Sequence, residues 1–396
     1  MQSADERSWF AGLSRNTFLL AAASFFSDVS TEMLYPVLPV FLTQTLKAGG
    51  GVVGLIEGLA VGIQNLVQGF SGALSDRLGR HRSVALVGFA ISAVSKPLIG
   101  LASAWPGVLG SRLLDRVGAG TRSAPRDALV AASVAEADRG KAFGLEGAGD
   151  NAGAFVGPLI AVLLLAVLGA RLRSIFYLAA VPGLLAFLMV LLVRKERPAA
   201  HSAAVVPIRL SGFPRAYGRY LIATAVFGIG NSSNAFLILQ MQALGVPLST
   251  TILIYAGFNL VAALVSYPAG ALSDRLGRRD LLVASFLIFL ASYLGFAFVH
   301  EAAIAAGLFV LYGAFQGMYR ALGKSLASEL SPPSLRASGV GWYGAVVGLS
   351  GLLASLIAGL LWDRVGHAAV FLYGAAVAIA GVLALLALTP GKAQPA

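Results

Sequence analysis

Asp28 and Glu32 stand four residues apart in SFFSDVSTEMLYPVLPVF, and helical geometry puts both carboxylates on one face. Ser24, Thr31 and Tyr35 join them within an arc of roughly 100°. Two carboxylates in an apolar stretch can take up and release protons as their surroundings change. A second segment, SRLLDRVGAGTRSAPRD, carries Arg112, Asp115, Arg116, Arg122, Arg126 and Asp127, all within about 140° of one helical face. A third, GLEGAGDN, adds Glu146 and Asp150, again four apart. By depth, Arg112 and Arg116 match Glu32 and Asp28, while Arg126 and Arg122 match Glu146 and Asp150. Stacked ion pairs around a hydrated cavity are expected. Asp28 and Glu32 would carry protons there, and Tyr35, Arg122, Arg126, Glu146 and Asp150 would line the space. The same pattern would also serve a bundle that only neutralises its own charges. Glu57 and Lys96, at similar depth, are expected to form a structural pair.

The surroundings of these charges are mostly apolar. The 396-residue chain is 57% hydrophobic and 12% charged, far below the quarter typical of soluble domains. The apolar residues form twelve runs of roughly 20 residues, the length that crosses about 30 Å of hydrocarbon as a helix. The first covers 16–45, the fourth 106–130, the fifth 140–168, the seventh 216–243 and the tenth 302–328. A barrel would alternate polar and apolar residues, and these runs do not. The long break at 194–215 separates six spans from six, dividing the chain into bundles at 1–193 and 216–396. The net charge of +11 is a matter of topology: only Lys47, Arg171, Arg173 and Arg364 fall in outward loops when the N-terminus is placed inside. An inner bacterial membrane with both termini cytoplasmic is expected, and nucleic acid is not. The apolar run after Asp5 and Glu6 continues into a full span, so it reads as retained and not as a cleaved signal.

The nonapeptide GALSDRLGR occurs at 72–80 and again at 270–278, an offset of 198 residues. Each copy follows the second span of its half, where Gly79 and Gly277 would allow a reverse turn and the arginines would hold the loop inside. The two copies resemble the signature loop G-x-x-x-D-R-x-G-R-[RK] of the major facilitator superfamily; His81 departs from its last position and Arg279 keeps it. The resemblance covers the whole chain. It implies an all-α membrane protein of twelve transmembrane helices in two pseudo-symmetric six-helix bundles. It also implies a latch, in which Asp76 caps the N-terminus of the eleventh span, Arg80 pairs with Asp127, and Asp274 and Arg278 repeat the device with Glu329. In many members an Arg early in the fourth span couples to protonation, and Arg112 matches that position, while Arg116 replaces the family's usual Gly. The fifth span partly matches the antiporter motif through Gly144, Gly153, Gly157 and Pro158, with Ala161 and Val162 replacing its terminal glycines. The plainer role of Gly149, Gly153, Gly157 and Pro158 is close helix packing, since small residues spaced by four let backbones approach.

The carboxy-terminal half differs. Its seventh span offers Asn231, Ser232, Ser233 and Asn234, hydrogen-bonding but uncharged. Arg320 and Lys324 lie 198 residues after Arg122 and Arg126, so cations recur on the fourth and tenth spans and either face the cavity or snorkel to the surface. The resemblance places spans one, four, seven and ten around the cavity, which adds Asn231, Asn234, Arg320 and Lys324 to its lining. The GKS at Gly323–Ser325 lacks the upstream Gly of a phosphate loop. The four histidines are dispersed and cysteine is absent, so no metal, cofactor or enzymatic centre is expected.

The expected function is secondary-active, proton-coupled antiport of a small organic or amphipathic molecule by alternating access. Proton symport importing a small solute, such as an anion, and a lipid flippase-like carrier are the alternatives. The expected partners are protons, the small substrate and membrane lipid, with the chain as a monomer. Asp76→Asn should shift the carrier toward inward-facing states; unchanged labelling of single cysteines on the cytoplasmic side would exclude a latch there.

Overall fold

A computed structural model describes residues 12–135, 138–194, 212–332 and 335–389, apart from the side chains of Ala73, Asp76, Asp274, Arg336 and Ala337. Among the described residues it is all helix and turn, with no strand. In hydrocarbon every backbone N–H and C=O must be satisfied within the segment, and a helix is the single-chain solution. The helices are α1 (Arg15–Leu34), α2 (Gly50–Leu78), α3 (His81–Leu101), α4 (Trp105–Ala132), α5 (Arg139–Val162), α6 (Leu172–Leu192), α7 (Arg215–Gly228), α8 (Leu248–Leu276), α9 (Arg278–Phe298), α10 (Ala302–Glu329), α11 (Arg336–Arg364) and α12 (His367–Leu388). Among the described residues nine helices are long and apolar enough to cross a membrane. The three that fall short are α1, α4 and α7, and each has a reason. Helix α1 carries Asp28 and Glu32 and breaks at Tyr35–Val37 before resuming over Leu38–Val40 and a π turn at Phe41–Thr45; α4 carries six charges; α7 breaks at Ile229–Asn234 and resumes over Ala235–Ala243. The segments that depart from hydrophobic uniformity are those expected to line a cavity.

In the first bundle α1 packs on α5 and α6, α3 on α4 and α6, and α2 on α4. The second repeats the scheme, with α8 and α9 on α10, and α12 on α7 and α9. The bundles meet through two equivalent pairs, α2 with α11 and α5 with α8. The repeated nonapeptide ends α2 and α8, where Gly79 (φ 58°) and Gly277 (φ 99°) adopt the left-handed backbone that reverses the chain. These two turns mark what is called here the basic face.

The bundles are cemented differently. In the first, small residues bring backbones together: a Cβ on Gly149 would lie 2.6 Å from the Ala21 carbonyl, and one on Gly157 2.8 Å from that of Val29. Gly153 meets the Phe25 carbonyl in the same seam, and Pro158 is buried beside it. The second bundle has an aromatic core in which Phe227 stacks on Phe286 at 3.6 Å and Phe289 on Tyr293 at 4.0 Å.

Contact between the bundles is concentrated away from the basic face. Glycines of α2 press on α11 at Gly50, Gly54 and Gly58, and the pair is still touching where Asn65 meets Gly348. Further along, Gly69 on α2 and Gly341 and Gly344 on α11 have open space where a side chain would stand. The hydrogen bonds recorded between bundles follow the same trend, joining Tyr35 to Ser233, Gln44 to Gln242, and Gly50 and Gly51 to Asp363. A cleft therefore opens toward the basic face and is closed at the opposite face.

Gly153→Val should drive a branched side chain into α1 and destabilise the protein by about 1–3 kcal/mol. Gly144→Val, on the same helix with open space around it, should be neutral. Thermal unfolding of the purified variants checks this, and equal melting temperatures would contradict a tight α1–α5 seam.

Candidate functional site

The charges of α4 divide into two clusters along its length. In the upper cluster, Arg112 is 1% exposed and grips Glu57 of α2 in a fork, Nε to Oε1 at 3.1 Å and Nη2 to Oε2 at 3.3 Å. Its Nη1 reaches Asp115, one turn along, at 3.3 Å. Arg116 shares Asp115 at 2.8 Å and donates to Gln64 Oε1 at 2.9 Å. Planar guanidinium forks of this kind answer carboxylates with both charge and geometry. In the lower cluster, Arg126 meets Glu146 at 2.8 Å, Asp127 at 3.1 Å and Asp150 at 3.6 Å. Ser24 of α1 closes it, donating to Glu146 Oε1 at 2.7 Å and accepting from Arg126 Nη1 at 2.9 Å. Between the clusters, Arg122 donates to Ser92 Oγ at 2.8 Å and lies 5.0 Å above the Phe89 ring.

These pairs correct the pairing expected from depth. Arg112 and Arg116 turn to α2 and to Asp115, not to Glu32 and Asp28, and Glu57 is therefore taken by Arg112, not by Lys96. Lys96 instead donates to Ser30 Oγ at 2.6 Å and Thr31 Oγ1 at 3.4 Å. The cause lies in packing: Gly120 lets α4 close onto α2 at the Gln64 carbonyl, whereas the glycine seam draws α1 onto α5. Asp127 is held by Arg126, so the expected Arg80–Asp127 pair is absent, and Arg80 is exposed at the turn. Arg278 and Glu329 do lie together, at 2.9 Å. Asp76 and Asp274 belong to α2 and α8, but their side chains lie outside the described residues.

Asp28 and Glu32 are left over. Both are partly buried, their β-carbons lie against Gly153 and Gly157, and among the described residues neither has a cation within 4 Å. They remain in the field of others: Asp28 feels Asp150, Arg122 and Arg126, and Glu32 feels Arg320, Arg116 and Arg112. Tyr255 of α8 donates its hydroxyl to Glu32 Oε2 at 2.7 Å, a contact that crosses between bundles.

On the other wall, Asn231 accepts from Tyr312 Oη at 3.2 Å, and Ser233 meets Tyr35 Oη at 3.2 Å. Asn234 stands at the start of the resumed part of α7, where its side chain makes no cap hydrogen bond. Arg320 and Lys324 are exposed on α10, with no ion pair among the described residues. Arg320 acts electrostatically on Glu32, and Lys324 interacts with Asp127 and Asp150. Sequence reasoning missed Tyr255 and Asn259, whose amide donates to the Ala154 carbonyl at 3.0 Å. Tyr255 is the repeat counterpart of Glu57, 198 residues earlier, a signal that exists in the numbering but carries no charge to draw notice.

Two dissimilar linings, one charged and one polar-aromatic, thus face a cleft between repeat-related bundles. Comparison with known proteins places this arrangement. The model of the Major Facilitator Superfamily matches residues 20–215 and 220–396. The chain is 33% identical over 386 residues to an uncharacterized MFS-type transporter of Methanocaldococcus jannaschii, covering 94% of this chain and 95% of that one. It is 28% identical over 319 residues to the multidrug resistance protein MdtG of Citrobacter koseri, covering 76% and 77%. Among solved structures, the nucleoside transporter NupG superposes with a TM-score of 0.77 at 14% identity, over 95% of this chain and 99% of that one. With its repeat, its twelve helical segments and its central cleft, the chain belongs to the Major Facilitator Superfamily and is an integral, multi-pass membrane transporter.

Proposed function

We propose that the protein is a secondary-active antiporter that exports a small organic or amphipathic molecule in exchange for protons. The two bundles, 1–193 and 216–396, would rock about the central site with 194–215 as their link. The observation that carries this reading is the state of the carboxylates within the spans. Among the described residues Glu57, Asp115, Glu146 and Asp150 each have a guanidinium within 4 Å, whereas Asp28 and Glu32 have none. A carboxylate gripped by Arg holds helices together. A carboxylate without that partner, at the edge of a cleft that opens and closes, can exchange a proton as its surroundings change from wet to dry. Asp28 and Glu32 are assigned proton transfer, with Arg112 and Arg116 setting the local field, and the remaining cavity groups are assigned to the cargo.

Export is favoured by the relatedness to MdtG and by the partial antiporter motif in α5. The basic face is assigned to the cytoplasm by its excess of Lys and Arg, which makes the structure inward-open; the working unit is taken to be a monomer surrounded by lipid. A second reading, proton symport of an anionic solute, is favoured by Arg320 and Lys324, two exposed cations of α10 with no carboxylate partner among the described residues.

The test uses proteoliposomes under an imposed pH gradient, with ethidium as the cationic amphipathic probe and benzoate as the anionic one. Gradient-driven movement of ethidium against the proton flux is expected for the native protein. It should fall to background in Asp28→Asn and in Glu32→Gln, with downhill exchange retained. If both variants move ethidium at the native rate, protons are not handled at these residues. Benzoate moving with the proton flux would replace antiport by symport.

A further inference from the structure

The sequence Asp-Arg-x-Gly occurs at four places: in the two nonapeptides at 76–79 and 274–277, as DRVG at 115–118 inside α4, and as DRVG at 363–366, where α11 gives way to α12. The first copy, DRLG at 76–79, stands where α2 gives way to α3. Helices α2 and α11 run antiparallel across the bundle interface, so these two copies lie at opposite faces of the membrane. In both, the glycine takes positive φ, 58° at Gly79 and 127° at Gly366, and a new helix begins within two residues.

At the closed face, the Asp363 carboxylate sits on the N-terminus of α2. The Gly50 amide donates to Oδ1 at 2.6 Å and the Gly51 amide to Oδ2 at 2.7 Å. Of the first four amides of this 29-residue helix, Val52 and Val53 donate to the Gly49 carbonyl, and the remaining two are satisfied by one anion from the other bundle, in the position where the helix dipole favours negative charge. The run Gly49-Gly50-Gly51 makes the approach possible. A Cβ on Gly49 would stand 2.7 Å from Asp363 Oδ2, and one on Gly50 2.6 Å from the Trp362 ring. One turn earlier on α11, Gly359 faces the Gly50 carbonyl, where a Cβ would lie 2.6 Å away. The seal is built for this contact and is one-sided: the repeat counterpart of Asp363, 198 residues earlier, is Leu165.

We propose that Asp363 is a positioning residue for the transport cycle: it holds the face opposite the basic one closed by capping α2, as the counterpart of the latch assigned to Asp76 on α11. Each of the two antiparallel helices then ends in Asp-Arg-x-Gly, and each aspartate caps the start of the other helix in one of the two states. Opening the far face breaks the Asp363 cap; closing the basic face makes the Asp76 one. The two states are balanced by like interactions, so neither is a trap. This inference rests on the alternating-access reading above.

The natural absence of cysteine permits spin-labelled cysteine pairs in the full-length chain. Thr45→Cys with Ala243→Cys reports the far face, and Leu78→Cys with Leu276→Cys the basic face; all four positions are exposed. Asp363→Ala should raise the fraction of long distances at the far face by about fivefold, the scale of a lost helix cap, and shorten those at the basic face. Asp363→Asn, which retains one acceptor, should give a smaller shift, and Asp76→Ala combined with Asp363→Ala should return the ratio toward native. A loss of packing alone would not move the two faces in opposite directions. If Asp363→Ala leaves both distributions unchanged while Gly359→Ala separates the far face, the latch is refuted and alternating access stands. A single fixed far-face distance in every variant would refute both.

Discussion

A guanidinium inside a bilayer-embedded bundle must be answered, and the rest of the structure follows from how the arginines of α4 are answered. Arg112 is almost wholly buried, and losing its partner would leave an uncompensated charge at a cost of about 3–5 kcal/mol. That demand brings α2 to α4 through Glu57, while Arg126 draws α5 in through Glu146 and Asp150. The glycines at the α2–α4 and α1–α5 seams meet the same demand sterically, because charged pairs of this length form only when backbones come close. The most highly charged helix is thereby fixed between α2, α3 and α5 of its bundle.

The repeat makes the two bundles alike in path and leaves their interiors free to differ. The first is held by ion pairs and small residues, the second by stacked aromatics around Phe227, Phe289 and Tyr312. The charged wall and the polar-aromatic wall meet on the pseudo-two-fold axis, which shows itself directly: Tyr35 touches Ser233 and Gln44 touches Gln242, each pair separated by 198 residues. Contacts between repeat equivalents lie on the axis by geometry. The breaks in α1 and α7 fall at that same level, so backbone irregularity, polar side chains and symmetry axis coincide where irregular backbone in a membrane is tolerated, beside a cavity.

Coupling between bundles needs contacts whose energy depends on state, and few are available. Between α2 and α11 the contact is largely glycine against backbone at Gly54, Gly58 and Gly359, and apolar side chains of both bundles share one core cluster; both seal without discriminating chemically. The discriminating contacts are polar: Tyr255 on Glu32, Asn259 on the Ala154 carbonyl, and the carboxylate of Asp363 on the start of α2. Of these, the Tyr255–Glu32 bond joins the second bundle to a carboxylate that has no ion pair among the described residues, so a change of charge at Glu32 would be felt across the interface.

The architecture was legible in the chain because hydrocarbon imposes few solutions: apolar runs of fixed length must be helices, and a nonapeptide repeated at 198 residues declares two related halves. The glycine turns, the small-residue stripe of α5 and the crowding of charge on one face of α4 could be read for the same reason, since each depends on local periodicity. Partner choice was legible only in part. Arg126 meets Glu146, and Arg278 meets Glu329, as expected, but depth along a helix measures one coordinate, whereas an ion pair depends also on which neighbour a helix packs against, and the α2–α4 seam sent Arg112 to Glu57. Tyr255 was hidden because a phenol in an apolar span carries no charge, and Asp363 because its meaning lies in a helix that begins more than 300 residues earlier. The sequence by itself determined what kinds of groups lie in the membrane and at what height; only the tertiary structure decided which carboxylates are bound and which are left open, because that depends on distances between helices that no single helix encodes.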